Sequence, residues 1–215
     1  MLIDAGTLKP RPDEVLRYMG WKKRGQGIEG YEESYHRVQE ELLRLKSIIR
    51  PKYVYSSISM EEQKELFGRL FLLGGEGSGI RKFVGNCRTL YLGAATLGFE
   101  YENLLKAAGN GDPSYLLMLE ACGTELVESA MDQLEEMIRL DTEAEESSRF
   151  SPGYGGWELS HQGPILDYLQ AHRLGIYLNE HDLMIPRKSV TAVIKLASFS
   201  GGCRTCEKSD CEYRE

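Results

Sequence analysis

From Asp112 to about Leu140 the chain carries Leu116, Leu119, Gly123, Leu126, Val127, Ala130, Leu134 and Met137 at spacings of three and four, one continuous apolar stripe. Asp112 followed by Pro113 marks where it starts. An aspartate oxygen can accept from the first free N–H groups of a helix, and proline in the first turn forfeits no hydrogen bond. A helix of roughly eight turns with one apolar face must bury that face along its length, so the rest of the chain has to supply a matching surface. Three alternating segments offer it. They are "KYVYSSI" after Pro51, "RTLYLGAATLG", and "KSVTAVIKLAS" with Val190, Ala192, Ile194 and Leu196 on one face. The two glycines of the second segment predict a bend or a close backbone contact. "GRLFLLG" reads as a further short strand.

The remaining helices are shorter. Asp13 is placed to cap one through Trp21, and "GYEESYHRVQEELLRLKSII" gives another with Val38, Leu42, Leu45 and Ile49 at helical spacing. "SMEEQKELF" is a capped turn with Ser59 ahead of Glu62. "DTEAEESS" reads as a solvated acidic connection, and a last helix runs from Pro164 to Gly175. Strands and helices alternate without the regular strand, helix, strand unit of a doubly wound fold. The expected class is therefore α+β: a single domain with a mainly antiparallel twisted sheet flanked by helices. Residues 1–50 form a helical N-terminal extension packed on it, 51–200 the core and 201–215 a cysteine-rich tail.

A length of 215 residues with 41% hydrophobic content sustains a real core, and a net charge of -7 disfavours a phosphate-backbone binder. The start shows no secretory pattern and no apolar run reaches membrane-spanning length, so a cytoplasmic protein is expected, with Cys87 and Cys122 as buried thiols.

Three constellations carry candidate chemistry. Gly75-x-Gly77-x-Gly79 after a strand has the look of a nucleotide loop, but Ile80 breaks the G-x-G-x-x-G form, which leaves a flexible turn. Cys203, Cys206 and Cys211 have the spacing of a metal or iron–sulfur knuckle lacking one ligand; a disulfide, a redox pair or plain thiols are the alternatives. "RFSPGYGGWELSHQ", residues 149–162, joins Gly153, Gly155 and Gly156 to Tyr154 and Trp157. The glycines permit close approach of backbone to a ligand, the rings offer flat faces, and Arg149 can grip a carboxylate with two prongs. An amino-acid-bearing nucleoside presents both a flat base and a carboxylate; the structural alternative is a tight turn whose rings are core.

The "R-F-S-P-G-Y" stretch resembles the Arg-x-x-x-Gly-Tyr signature of the reactivation domain of cobalamin-dependent methionine synthase. "AATLG" at 94–98, "ELVESAMDQLEE" at 125–136 and "LMIPRKSV" at 183–190 are similar to family segments in the same order. The likeness covers roughly residues 50–200. It implies a module, here encoded on its own, that binds S-adenosylmethionine and offers its methyl group to the cobalt of a partner's cobalamin. In the family this repairs an enzyme whose cobalt has been oxidised, with an electron often supplied by a flavodoxin. By matching positions, Arg149 would bind the ligand carboxylate, Ser151 and Gly153 would offer backbone contacts, Tyr154 would line the pocket near the methyl, and Glu128 would meet the ligand's amino group. Gly155 stands where the long-chain enzymes have proline, and the cysteine tail is foreign to them.

The function expected is thus an S-adenosylmethionine-binding subunit of methionine synthase-type methyltransferase activity, with no nucleic acid or membrane partner. Two alternatives stay open. One is a corrinoid-protein docking or redox module whose tail cysteines hold a metal or cluster; the other is a Rossmann methyltransferase built on Gly75 to Gly79.

Overall fold

The computed structural model describes residues 1–21, 28–59, 62, 79–85, 87 and 89–197. The segment "GRLFLLG", Gly75, Gly77 and the tail cysteines Cys203, Cys206 and Cys211 lie outside the described residues.

Six α-helices are described: α1 (Pro12–Tyr18), α2 (Tyr31–Ile48), α3 (Gly79–Val84), α4 (Phe99–Ala108), α5 (Pro113–Asp141) and α6 (Gln162–Tyr168). The strands are β1 (Lys52–Ile58), β2 (Leu90–Thr96), β3 (Glu146–Phe150), β4 (Tyr177–Leu178), β5 (Met184–Ile185) and β6 (Ser189–Ala197). β1, β2, β6 and β3 form, in that order, one antiparallel sheet, and β4 and β5 form a small hairpin. The fold is α+β, an antiparallel sheet with helices on its flanks. An antiparallel order contradicts the Rossmann alternative, because that fold requires parallel strands joined by crossover helices.

The 29-residue helix α5 begins as its sequence dictates, with the Asp112 carboxylate accepting from the Ser114 N–H. Alternation on β2 and β6 sends Ala95, Ala192 and Ile194 toward it, together with Leu119, Leu126, Ala130, Leu134 and Ile138 of the helix and Val38, Leu42, Leu45 and Ile49 from the α2 region. The opposite parity, Leu90, Leu92, Ala94 and Val193, faces a second core with Ile80, Trp157, Ile165 and Leu166. The two central strands are therefore buried on both faces. Gly93 is the close contact anticipated from the sequence: a Cβ there would sit 3.1 Å from Leu134 and Met131 of α5. Cys122 lies in the first core, its thiol pushed up to about 12 by burial and then by the charge of Glu41.

Gly123 lets α4 and α5 meet. A Cβ there would lie 2.5 Å from the Tyr101 ring, whose hydroxyl donates to the Leu119 carbonyl at 2.7 Å. Gly123→Ala gains about 1 kcal/mol of helix propensity, but pushes against a ring that has nowhere to move. A net loss of about 1–2 kcal/mol is expected, measured as a lower urea midpoint at unchanged slope. An unchanged or raised midpoint would contradict this packing.

Several local expectations are corrected. The first helix is not capped by Asp13. It starts at Pro12 after Arg11 and ends at Tyr18, while Asp13 accepts a 2.8 Å hydrogen bond from the Tyr31 hydroxyl. The acidic segment "DTEAEESS" is not all loop, because Glu146 to Ser148 open β3 on the sheet edge. Pairing with the β6 backbone supplies what these polar side chains do not. The last helix starts at Gln162 rather than Pro164 and breaks near Gln170, which has a positive φ of 51°, before a 3₁₀ turn at Ala171–Leu174 closed by Gly175. Ser59 and Glu62 do form the expected reciprocal cap, with bonds of 2.8 and 3.3 Å.

The N-terminal arm is tied to α5 as well. The Arg11 backbone N–H and guanidinium both donate to one oxygen of the buried Glu125 at 2.9 and 3.0 Å, and the Lys9 N–H donates to the Ser129 hydroxyl. Among the described residues no helix is long and apolar enough to cross a membrane.

Candidate functional site

Strand β3 decides where the opening loop begins and which way its residues point. Arg149 pairs with Ile194 and Phe150 with Val193, so each shares the face of its partner. Ile194 faces the long helix and Val193 the second core. Arg149 is thereby aimed at α5 and Phe150 away from it.

On α5, Glu128, Asp132 and Glu135 stand four and three residues apart, a spacing that lines them along one face. All three meet Arg149. Its Nη2 lies 2.9 Å from Glu128 Oε2, and its Nη1 lies 2.5 Å from Asp132 Oδ1 and 2.8 Å from Glu135 Oε2. Only 23% of the arginine side chain is exposed. Burial works against its charge, and the carboxylates of Asp132, Glu128 and Glu135 outweigh that, holding the guanidinium above its ordinary pKa. Glu128 and Arg149, singled out in the sequence, are thus brought together; Asp132 and Glu135 were not anticipated. The signal for them was present, since they repeat the helical position of Glu128 at i+4 and i+7.

Beyond Phe150 the chain makes two tight turns. Gly153 N–H donates to the Trp157 carbonyl at 2.7 Å, and Trp157 N–H donates to the Tyr154 carbonyl at 2.8 Å. Gly153, Gly155 and Gly156 all have positive φ, 91°, 52° and 77°, a region that side-chain-bearing residues enter at a cost. Gly155 is also held from beneath. Its carbonyl accepts from Gly79 N–H at 2.7 Å, and a Cβ on either glycine would lie 2.8 Å from the tip of the Phe150 ring. Gly79 therefore serves the loop as a packing contact at the start of α3. Ser151 is half-buried at the base of the turn, and Tyr154 stands 66% exposed at its tip.

Trp157 takes the core alternative that the sequence left open. It is not an open stacking face but a core residue, 2% exposed, with Phe150 stacked at 6.1 Å on one side and His161 at 6.1 Å on the other. Phe83 extends the stack, 5.5 Å from Phe150. The hydrophobic effect explains the difference: the second core needed a large ring at the loop's end, and only one of the loop's two large rings, Tyr154, is left outside. Among the described residues no group of three or more His, Cys, Asp or Glu is placed to hold a metal ion.

No family model and no curated protein matches the chain. Among solved structures it is similar to the crystal structure of the MetH reactivation domain bound to AdoHcy, with a TM-score of 0.68 at 19% identity, covering 93% of this chain and 78% of that one. The chain has the fold of the MetH reactivation domain. The coverage takes the likeness to that reactivation domain well past the residues 50–200 over which the sequence resembles the family.

Proposed function

We propose that the protein binds S-adenosylmethionine at the mouth formed by α5, the end of β3 and the glycine loop, and that it reactivates a cobalamin-dependent methyltransferase, methionine synthase. The observation that carries the reading is the convergence of Arg149 and Glu128 at 2.9 Å at the end of β3, where the chain runs on into a loop with three left-handed glycines, Gly153, Gly155 and Gly156, in a fold shared with a domain whose structure holds AdoHcy.

The donor set suits such a ligand. An amino-acid end carries a carboxylate and an ammonium side by side, and Arg149 and Glu128 offer the opposite charges in the same arrangement. Gly153 has committed its N–H to the turn and meets the ligand through its carbonyl; the Ser151 carbonyl accepts from the Tyr154 N–H at 3.4 Å and keeps a second lone pair for the ligand. Gly156 is open, with nothing within 4 Å of where a Cβ would be, and the exposed Tyr154 lines the methyl's side. When bound, the compound supplies an electrophilic methyl group on a sulfonium. The protein's part is positioning: Arg149 and Glu128 fix one end, the glycine backbone admits the other, and no general acid or base of this chain is required. The reacting cobalt belongs to the partner's cobalamin, and a flavodoxin-like donor supplies the electron.

Isothermal titration of the full chain is expected to show one saturable S-adenosylmethionine site that S-adenosylhomocysteine competes for. A titration with no binding of either compound would remove the assignment.

A further inference from the structure

We infer that Asp132 and Glu135 are positioning residues that hold Arg149 away from a ligand's carboxylate, so that the site must release its own arginine before it can fill. The inference rests on the S-adenosylmethionine reading of the site. Its ground is the direction of the guanidinium. Both outer nitrogens of Arg149 are already engaged by carboxylates, Nη1 by two of them at 2.5 and 2.8 Å and Nη2 by Glu128 at 2.9 Å. Three carboxylates around one cation leave two negative charges in excess. A ligand carboxylate that approaches this arginine therefore meets net repulsion and finds both Nη nitrogens already paired with carboxylates. Glu128 loses little in the exchange, because the ligand's ammonium replaces the guanidinium it gives up. Asp132 and Glu135 have no such replacement in a ligand whose sulfur is uncharged, so their pairs with Nη1 oppose binding.

The two holds differ in strength. The Asp132 side chain is 49% exposed, so water takes over its solvation readily; Glu135 is 12% exposed and gives up its partner at greater cost. Because both act on the same nitrogen, removing one leaves the other in place and their effects are not additive.

The opposite arrangement makes the opposite prediction. If the two acids simply orient Arg149 for its ligand, neutralising them lowers affinity; if they hold it back, neutralising them raises affinity. The discriminating probe is S-adenosylhomocysteine, which keeps the carboxylate and ammonium and lacks the sulfonium that these acids would attract. Titrated into the full chain, it is expected to bind ~2–5-fold more tightly to Asp132→Asn and to Glu135→Gln, with a larger gain in the double variant. Asp132→Glu, which retains the charge, is expected to behave as wild type. A damaged fold would lower affinity, so a gain cannot be a folding artefact. Wild-type binding with no gain, or with a loss, in the neutral variants overturns the hold while leaving the ligand assignment standing. Failure of wild type and of every variant to bind either S-adenosyl compound overturns both.

Discussion

Arg149→Ala is expected to weaken S-adenosylmethionine binding by about 1.5–3 kcal/mol, on the order of ten- to a hundredfold, the worth of a charged hydrogen bond. The same change reaches the fold. Without the guanidinium, Glu128, Asp132 and Glu135 face one another along α5 with no counter-charge at 2.5–2.9 Å. Since the arginine is only 23% exposed, a loss of about 1–3 kcal/mol of stability is expected. Arg149→Lys separates the two effects. The charge stays near the acids and the urea midpoint is largely kept, but the planar two-pronged grip is gone and binding still falls. Titration calorimetry and urea melts on both variants check this. Unaltered affinity in Arg149→Ala would place the ligand elsewhere.

Trp157→Ala is expected to be the most damaging single truncation in the loop, at about 3–5 kcal/mol. The ring is 2% exposed and stacked between Phe150 and His161, and the His161 Nδ1–H donates to the Glu158 carbonyl at 3.1 Å, so the cavity has stiff walls. The Trp157 carbonyl also closes the turn that presents Gly153. Ligand affinity should therefore fall together with stability, even at temperatures where the variant remains folded. Trp157→Phe keeps an aromatic ring in the stack while removing part of the indole's volume and an N–H that has no hydrogen-bond partner. It is expected to cost about 1–2 kcal/mol, well below the alanine variant, and to retain binding. If Trp157→Ala melts like wild type, the loop is not anchored through this ring.

Gly93 and Trp157 mark how far the sequence could be read. Two glycines in an apolar strand announced a close approach, and Gly93 provides it against Leu134 and Met131. Trp157 was ambiguous, since a large ring in a glycine loop satisfies either a ligand or a core, and nothing local distinguishes them. The second core lies on the far side of the sheet, assembled from residues as distant as Ile58 and Ile176. The ring's fate was settled there.

Periodicity determined the long helix and the inward face of β6 at Val190, Ala192, Ile194 and Leu196, because burying an apolar stripe leaves one orientation available, and cap chemistry determined the helix's aspartate and proline start. Edge strand β3 has no such stripe. Glu146, Ser147 and Ser148 are polar on both sides, so its side chains do not say which face is which. Its register on β6 does, through main-chain hydrogen bonds that carry no side-chain identity, and one residue of slip would turn Arg149 away from Glu128, Asp132 and Glu135. The residues of the site were thus written in the chain, while their meeting depended on a backbone pairing that only the folded sheet could fix.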